Sequence, residues 1–129
     1  MTDALKKILY VEDEADIQTV ARLALETVGG FEVMICSSGA EALEKAPRFK
    51  PDILLLDVMM PGMDGPDTLV ALLSIEAMKP TPAIFLTAKA MPAEVERYKK
   101  LGALDVIPKP FDPMTLADQV KAIWNRRDG

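Results

Sequence analysis

The sequence feature that most constrains the fold is an apolar run that ends in an aspartate and is followed by a loop rich in proline and glycine. The run is Ile53-Leu54-Leu55-Leu56-Asp57, and the loop is Val58-Met59-Met60-Pro61-Gly62-Met63-Asp64-Gly65. An uninterrupted apolar run between turn residues predicts a strand buried on both faces, as in a parallel sheet. Asp57 is then expected at the carboxyl edge of the sheet, where open α/β folds place their sites. Taken alone, Asp57 is equally compatible with an ordinary turn, because aspartate is a common turn residue.

Short apolar runs and amphipathic segments alternate along the rest of the chain. The runs predict further strands at residues 8–11, 31–36, 83–87 and 103–107, and the second has one less buried face, which is typical of an edge strand. A helix is predicted after every strand. The first four are expected to end at Gly29-Gly30, before Pro47, at about Met78 and at Gly102. The last is expected to begin with Asp112 as N-cap and Pro113 in its first turn.

Five strand–helix units in succession predict a doubly wound α/β fold. A strand that is followed by a helix and then by another strand normally places the two strands parallel, with helices covering both faces of the sheet. The chain shows no internal repeat, linker or low-complexity tract. We therefore expect residues 1–129 to form one (βα)5 domain.

Composition excludes several classes of function. Half of the 129 residues are apolar, the net charge is −5, and histidine is absent. The negative charge argues against general binding of nucleic acid or of anionic membranes. The lack of histidine removes the usual transition-metal ligand and the usual neutral-pH proton donor. Because no apolar run approaches the roughly 18 residues of a membrane span and no signal peptide is evident, we expect a soluble cytoplasmic protein. Cys36, the only cysteine, is expected to be a small core or edge residue.

Polar side chains stand at the carboxyl ends of four predicted strands. They are Glu12, Asp13, Asp57, Thr87 and Lys109. Neighbouring parallel strands lie about 4.8 Å apart, so side chains at their common edge can converge on one small ligand. Three carboxylates without histidine suit a hard cation bound by oxygen, and Mg²⁺ is the natural choice. A lysine and a hydroxyl beside them suit a phosphoryl group.

Each of these residues has a simpler explanation when it is taken alone. Glu12 and Asp13 could favour the positive end of the helix that follows them. Thr87 could be an ordinary strand-forming residue, and Lys109 a solvated surface charge. Only the joint position of these side chains at the strand ends favours a common site.

The combination resembles the receiver domain of two-component response regulators, in the single-domain layout of the chemotaxis type. The residues that carry the resemblance are Glu12-Asp13, the run 57–65, Thr87-Ala88 and Lys109-Pro110-Phe111, and the match covers essentially the whole chain. The resemblance implies a flavodoxin-like three-layer sandwich with strand order 2-1-3-4-5. The chain is compatible with a complete single-domain regulator and with a receiver segment of a larger regulator or hybrid kinase.

The resemblance implies a phosphorylation-activated signalling switch rather than a conventional enzyme. Asp57 would accept a phosphoryl group from a phosphohistidine of a histidine kinase or histidine phosphotransfer protein. Mg²⁺ would be held by Asp13, Asp57 and the backbone carbonyl of Met59, and Glu12 would assist through water. The downstream effector is not identified by the sequence.

The resemblance assigns the remaining strand-end residues to the phosphoryl group and to the switch. Lys109, whose bond to Pro110 is expected to be cis, would pair with the phosphoryl oxygens. Thr87 would donate to the phosphoryl group and move when it arrives, and Ala88 would leave space for it. The family often has an aromatic residue where this chain has Val106, so a swinging ring is not available. We therefore expect Thr87 and the loop after it to alter partner binding, with a phosphorylation-dependent homodimer as one hypothesis.

Three other classes of function share parts of the pattern. A magnesium-dependent phosphatase of the aspartate-nucleophile type would have Asp-x-Asp at the end of its first strand, where this chain has Glu12-Asp13-Glu14. A nucleotide or flavin binder on the same fold would have a glycine-rich phosphate loop after that strand, and none is present. A scaffold that is never phosphorylated would not need the intact acidic set.

Overall fold

Five parallel strands form one sheet in the computed structural model, which describes residues 4–127. The strands are β1 Lys7–Val11, β2 Glu32–Cys36, β3 Ile53–Asp57, β4 Ala83–Thr87 and β5 Asp105–Pro108. Their order across the sheet is β2-β1-β3-β4-β5, which confirms the expected doubly wound topology and the edge position of the second strand. This order places the carboxyl ends of β1 and β3 side by side.

A helix follows every strand. The helices are α1 Ala15–Arg22, which continues as a π-helical segment over Leu23–Val28, α2 Gly39–Phe49, α3 Gly65–Leu73, α4 Pro92–Lys100 and α5 Leu116–Asn125. A short 3-10 turn, Glu76–Met78, lies between α3 and β4. No helix in the described part of the chain, residues 4–127, is long and apolar enough to cross a membrane.

Two hydrophobic cores lie on opposite faces of the sheet, because successive side chains of a strand point to opposite sides. Ile8 and Tyr10 belong to the core under α1 and α5. Leu9 and Val11 belong to the core under α2, α3 and α4. Every residue of Ile53–Asp57 is buried, which confirms that the third strand is covered on both faces. The fold is thus the expected three-layer sandwich.

Cys36 ends the edge strand β2 and is buried in the core shared with α2, as expected. Burial, assisted by the nearby charge of Glu41, raises the pKa of the Cys36 thiol to about 11. The thiol is therefore protonated at neutral pH, which fits a packing residue and not a reactive one.

The predicted end of α2 was wrong, because the helix passes through Pro47 and ends at Phe49. A proline inside a helix removes one backbone hydrogen bond, but other contacts can hold the helix together. Here the Ser38 side chain caps the first turn by accepting the N–H of Glu41 at 3.1 Å. Lys50 closes the last turn in a left-handed conformation (φ 57°), and its N–H donates to the Ala46 carbonyl at 2.9 Å.

The predicted end of α3 was also wrong, because the helix stops at Leu73 and not at Met78. The Ser74 hydroxyl donates to the Val70 carbonyl, a backbone acceptor in the last turn of α3, at 2.9 Å. A side chain that competes in this way for backbone groups favours helix termination. By contrast, α4 ends as predicted before Gly102, whose φ of 118° suits glycine.

The predicted start of α5 was wrong by a few residues. Asp112 caps a turn that precedes the helix, with its carboxylate accepting the N–H of Met114 at 2.9 Å. The Asp112 carbonyl then accepts the N–H of Leu116, where the helix begins. The aspartate therefore performs the capping chemistry that the sequence indicated, one turn earlier in the chain.

Candidate functional site

Four of the five side chains singled out by the sequence lie together at the carboxyl edge of the sheet. Glu12 and Asp13 follow β1, Asp57 ends β3, and one carboxylate oxygen from each lies within 4.8 Å of the others. The Lys109 Nζ lies 3.1 Å from Glu12 Oε1 and 3.1 Å from Asp57 Oδ1. Because β4 separates β3 from β5, only a long side chain from β5 can reach the acids, and lysine has that length.

The three carboxylates differ in exposure. Glu12 is completely buried and Asp57 is 3% exposed, whereas Asp13 is open to solvent. Burial, followed by the charge of Glu12, raises the pKa of Asp57 to about 6, although the hydrogen bond from Lys109 acts in the opposite direction. The pocket therefore holds three acids against one lysine, an excess of negative charge that a cation would relieve.

Lys109 is the positive member of the pocket. Burial by itself would lower the pKa of its ammonium group, but the hydrogen bonds to Glu12 and Asp57 outweigh burial and raise that pKa. The ammonium group is accordingly charged at neutral pH and shared between two carboxylates. The Lys109–Pro110 peptide bond is cis, as the resemblance implied.

Thr87 ends β4, the strand between β3 and β5, and its hydroxyl contacts the loop that follows β4. The side chain is 2% exposed, and its Oγ1 accepts the N–H of Lys89 at 3.0 Å. The strand register places Leu86 opposite Asp57, so Thr87 lies one residue beyond the last pair between β3 and β4. Thr87 is thus connected to the loop over residues 88–91.

Met59 and Val106 lie in contrasting surroundings. The Met59 side chain is 72% exposed in the loop after β3, and a metal-binding role for its carbonyl stays a prediction. Val106 is buried in the core with Phe85 and Tyr98, whose rings pack edge to face with centroids 5.1 Å apart. An aliphatic side chain therefore occupies the position where the family often has a ring.

The loop after Asp57 folds back onto the end of β3. The Gly65 N–H donates to the Val58 carbonyl at 3.0 Å. A Cβ at Gly65 would lie 2.5 Å from the Asp57 carbonyl oxygen, so only glycine fits this approach. Asp64 then caps α3 by accepting the N–H of Asp67 at 2.9 Å. The start of α3 is held directly against the backbone of Asp57.

Tyr10 is a member of the site that the sequence reasoning missed. Its ring lies in the core, and its hydroxyl donates to Glu12 Oε1 at 3.1 Å. Burial, then the charge of Glu12, raises the pKa of the phenol, so the hydroxyl keeps its proton. The spacing of two residues within one extended segment places Tyr10 and Glu12 on the same side of the sheet, and that spacing was the available signal.

Comparisons with known proteins agree with this geometry. The family model of the response regulator receiver domain matches residues 8–121. The chain belongs to this family. Receiver domains are signalling switches of two-component systems, in agreement with the function that the sequence implied.

Relatives of this receiver domain include two longer transcriptional regulators. The alkaline phosphatase synthesis transcriptional regulatory protein PhoP of Bacillus subtilis (strain 168) is 41% identical over 123 residues, which are 95% of this chain and 50% of that protein. The transcriptional regulatory protein CpxR of Escherichia coli (strain K12) is 38% identical over 122 residues, with the same two shares. The chain thus spans about half the length of these curated relatives.

Solved structures similar to this receiver domain cover nearly all of it. The chemotaxis protein CheY4 of Vibrio cholerae has a TM-score of 0.85 and 32% sequence identity, with 93% of this chain and 99% of that chain covered. The CheY-like receiver domain protein of Methanospirillum hungatei JF-1 has a TM-score of 0.81 and 27% identity, with 97% and 98% covered. Both similarities thus extend over more than nine-tenths of this chain.

Without a divalent cation, Asp57 is expected to make the receiver domain less stable as the pH rises. The pKa of Asp57 is raised from its ordinary 3.8 to about 6, so the folded state binds this proton more tightly than the unfolded chain. The resulting stabilisation is complete below the ordinary pKa of 3.8. It is lost as the pH rises through the folded-state pKa of about 6. It should be on the order of 1 kcal/mol after allowance for solvent screening.

Urea unfolding of the wild type and of Asp57→Asn, at about pH 4.5 and about pH 7.5, measures this contribution. The variant lacks the titrating group and keeps every other carboxylate. The wild type should therefore lose more stability than the variant between the two pH values. Equal losses would contradict the raised pKa of Asp57.

Proposed function

We propose that this receiver domain is a phosphorylation-activated switch and that Asp57 accepts the phosphoryl group. The observation that carries the proposal is the convergence of Asp57, two further acids and one lysine at a single edge of the sheet. A carboxylate oxygen of Asp57 would attack the phosphorus of a phosphohistidine, forming a P–O bond while the P–N bond breaks and its electron pair returns to the imidazole nitrogen. We further propose that residues 1–129 form one receiver domain, supported by the family match over residues 8–121.

The charges of the pocket suit this transfer. Asp57 must be ionised to act as a nucleophile, and with a pKa of about 6 it is mostly ionised above neutral pH. Lys109 already lies at hydrogen-bonding distance from Asp57 and can turn to the oxygens of the incoming group. Positioning and charge neutralisation are the main sources of catalysis in phosphoryl transfer.

The acid cluster fits a magnesium ion, because Mg²⁺ prefers carboxylate oxygens and retains several waters. Asp13, Asp57 and the Met59 carbonyl would bind the ion directly. Glu12 would act through water, since it is completely buried and its Oε1 already accepts hydrogen bonds from Tyr10 and Lys109. When bound, the ion would neutralise negative charge that builds up on the phosphoryl oxygens.

The proposed phosphoryl donor is a histidine kinase or a histidine phosphotransfer protein. An apolar groove of about 420 Å³ opens beside Lys109 and is lined by Glu14, Ile17, Val20, Ala88, Lys109, Pro110 and Phe111. Asp57 is almost completely buried, so a donor must come close to this edge of the sheet to deliver its phosphoryl group. The groove offers that donor an apolar contact next to the acceptor.

The decisive experiment exposes the purified chain to a small phosphodonor, with and without magnesium. The proposal expects the mass of one phosphoryl group to be added in the presence of magnesium and none in the presence of a chelator. A magnesium-dependent phosphatase would instead release phosphate over many turnovers under the same conditions. Absence of any phosphorylated species at saturating magnesium would contradict the proposed function.

The switch is proposed to run through Thr87. Its hydroxyl would donate to the new phosphoryl group, and the backbone of Lys89, which is bonded to the same hydroxyl, would move with it. Thr87→Ala should therefore accept phosphate but lose most of the amide shifts that phosphorylation causes in residues 88–91 and α4. Thr87→Ser keeps the hydroxyl and is the matched control. NMR spectra of the phosphorylated proteins are the measurement, and a full set of shifts in Thr87→Ala would rule out this route.

The partner-binding face is proposed to lie on α4, β5 and α5, next to the loop that Thr87 moves. One form of binding there is a homodimer that forms only after phosphorylation. Light scattering with and without the phosphodonor tests it, and an unchanged monomer mass would remove the homodimer from the proposal. The effector would then be another protein.

A further inference from the structure

Glu12 is held at both of its carboxylate oxygens. Oε1 accepts hydrogen bonds from the Tyr10 hydroxyl and from the Lys109 ammonium group, each at 3.1 Å. Oε2 accepts the backbone N–H of Glu14 at 3.2 Å. A glutamate has one more rotatable bond than an aspartate, and the donors around Glu12 restrict that freedom.

The Lys109 ammonium group is shared among several acceptors. It donates to Asp57 as well as to Glu12, and in the proposed function it turns to the phosphoryl oxygens. Glu12 is completely buried, so the loss of a donor would leave a charged oxygen without compensation, which is costly. The Tyr10 hydroxyl is the donor at that oxygen that does not have to move. Its ring is fixed among the apolar side chains of the core.

We propose that Tyr10 is a positioning residue of the acidic site. Its hydroxyl holds Glu12 in one orientation, from which the carboxylate would bind water of a magnesium ion, and it would keep Glu12 paired when Lys109 turns to the phosphoryl group. The inference rests on the proposed function, because it assigns a purpose to a contact within the same site. Tyr10 acts only through Glu12 and would touch neither the metal nor the phosphoryl group.

Tyr10→Phe tests the hydroxyl, because it removes one oxygen and leaves the ring in place. Magnesium binding is followed by NMR through the amide shifts of the residues around Glu12. The dissociation constant should rise about threefold to fivefold, less than for loss of a group that contacts a metal ligand directly. Tyr98→Phe is the matched control, since the Tyr98 hydroxyl accepts a hydrogen bond from Arg97 on α4 and its binding of magnesium should be unchanged.

Combining Tyr10→Phe with Glu12→Asp shows whether the Tyr10 hydroxyl affects magnesium binding through Glu12. In Glu12→Asp the carboxylate is one methylene shorter and withdraws from the Tyr10 hydroxyl. Adding Tyr10→Phe to this variant should then change the dissociation constant by less than about twofold. A general loss of packing would weaken binding equally in both backgrounds.

Two results would overturn the inference: wild-type affinity in Tyr10→Phe, or the same loss in both backgrounds. Neither would affect the proposed function, which stands or falls with phosphorylation of the wild type. Conversely, a wild-type chain that takes up no phosphoryl group would remove the proposed function itself. Both tyrosine variants keep an aromatic ring in its pocket, so both are expected to fold, and melting curves verify this.

Discussion

Asp57→Asn is expected to abolish acyl phosphate formation while the chain stays folded. The amide has nearly the size of the carboxylate, and its oxygen can still accept the hydrogen bond from Lys109. It lacks the negative charge that makes the carboxylate a nucleophile. In the absence of a cation the variant should also melt somewhat higher at about pH 7.5, because a neutral group relieves the repulsion that raises the pKa of Asp57.

Intact-mass measurement after treatment with phosphodonor and magnesium gives the result directly. Asp118→Asn is the matched control, since it makes the same chemical change at an exposed position on α5, away from the acid cluster. It should be phosphorylated like the wild type. If Asp57→Asn gained a phosphoryl group to the same extent, the acceptor would have to be another residue.

Asp13→Ala is expected to weaken magnesium binding by at least about 30-fold and to prevent phosphorylation at low millimolar magnesium. Asp13 is the exposed member of the acid cluster and is therefore free to bind the ion directly. Glu12→Ala should weaken binding less, by about tenfold, because Glu12 is proposed to act through water. Both losses exceed the change expected for Tyr10→Phe.

Magnesium titrations followed by NMR measure these constants. Asp16→Ala, which removes an exposed carboxylate from the first turn of α1, controls for the general change in net charge. Wild-type affinity in both Asp13→Ala and Glu12→Ala would mean that the acid cluster does not bind the metal. If Glu12→Ala lost more magnesium affinity than Asp13→Ala, Glu12 would be the direct ligand and Asp13 would act through water.

The sequence predicted the sheet and most of the site because both depend on short-range patterns. The apolar run 53–56 and the acid after it fix the place of Asp57, and parallel strands bring such ends to one edge. The end of α2 was not predictable from Pro47, because the cap at Ser38 and the left-handed Lys50 outweigh one missing hydrogen bond. A proline therefore does not end a helix when contacts before and after it stabilise the helical backbone.

Tyr10 and Thr87 show why the details of the site needed a structure. Tyr10 reads as one apolar residue among several in β1, and only the length of its side chain brings the hydroxyl to Glu12. Thr87 was expected to donate to a phosphoryl group and to move when that group arrives, and here its hydroxyl accepts the N–H of Lys89. Both contacts depend on rotamers, and a sequence pattern does not determine rotamers.

The ion pairs of Lys109 join residues that are far apart along the chain, 97 positions from Glu12 and 52 from Asp57. During synthesis on the ribosome, both acids leave the exit tunnel long before the lysine that balances them. Strands β1 and β3 can pair early, but their carboxylates then face each other without a counter-charge until β5 adds to the sheet. Docking of β5 brings the counter-charge of Lys109 to these acids and should therefore be favoured electrostatically.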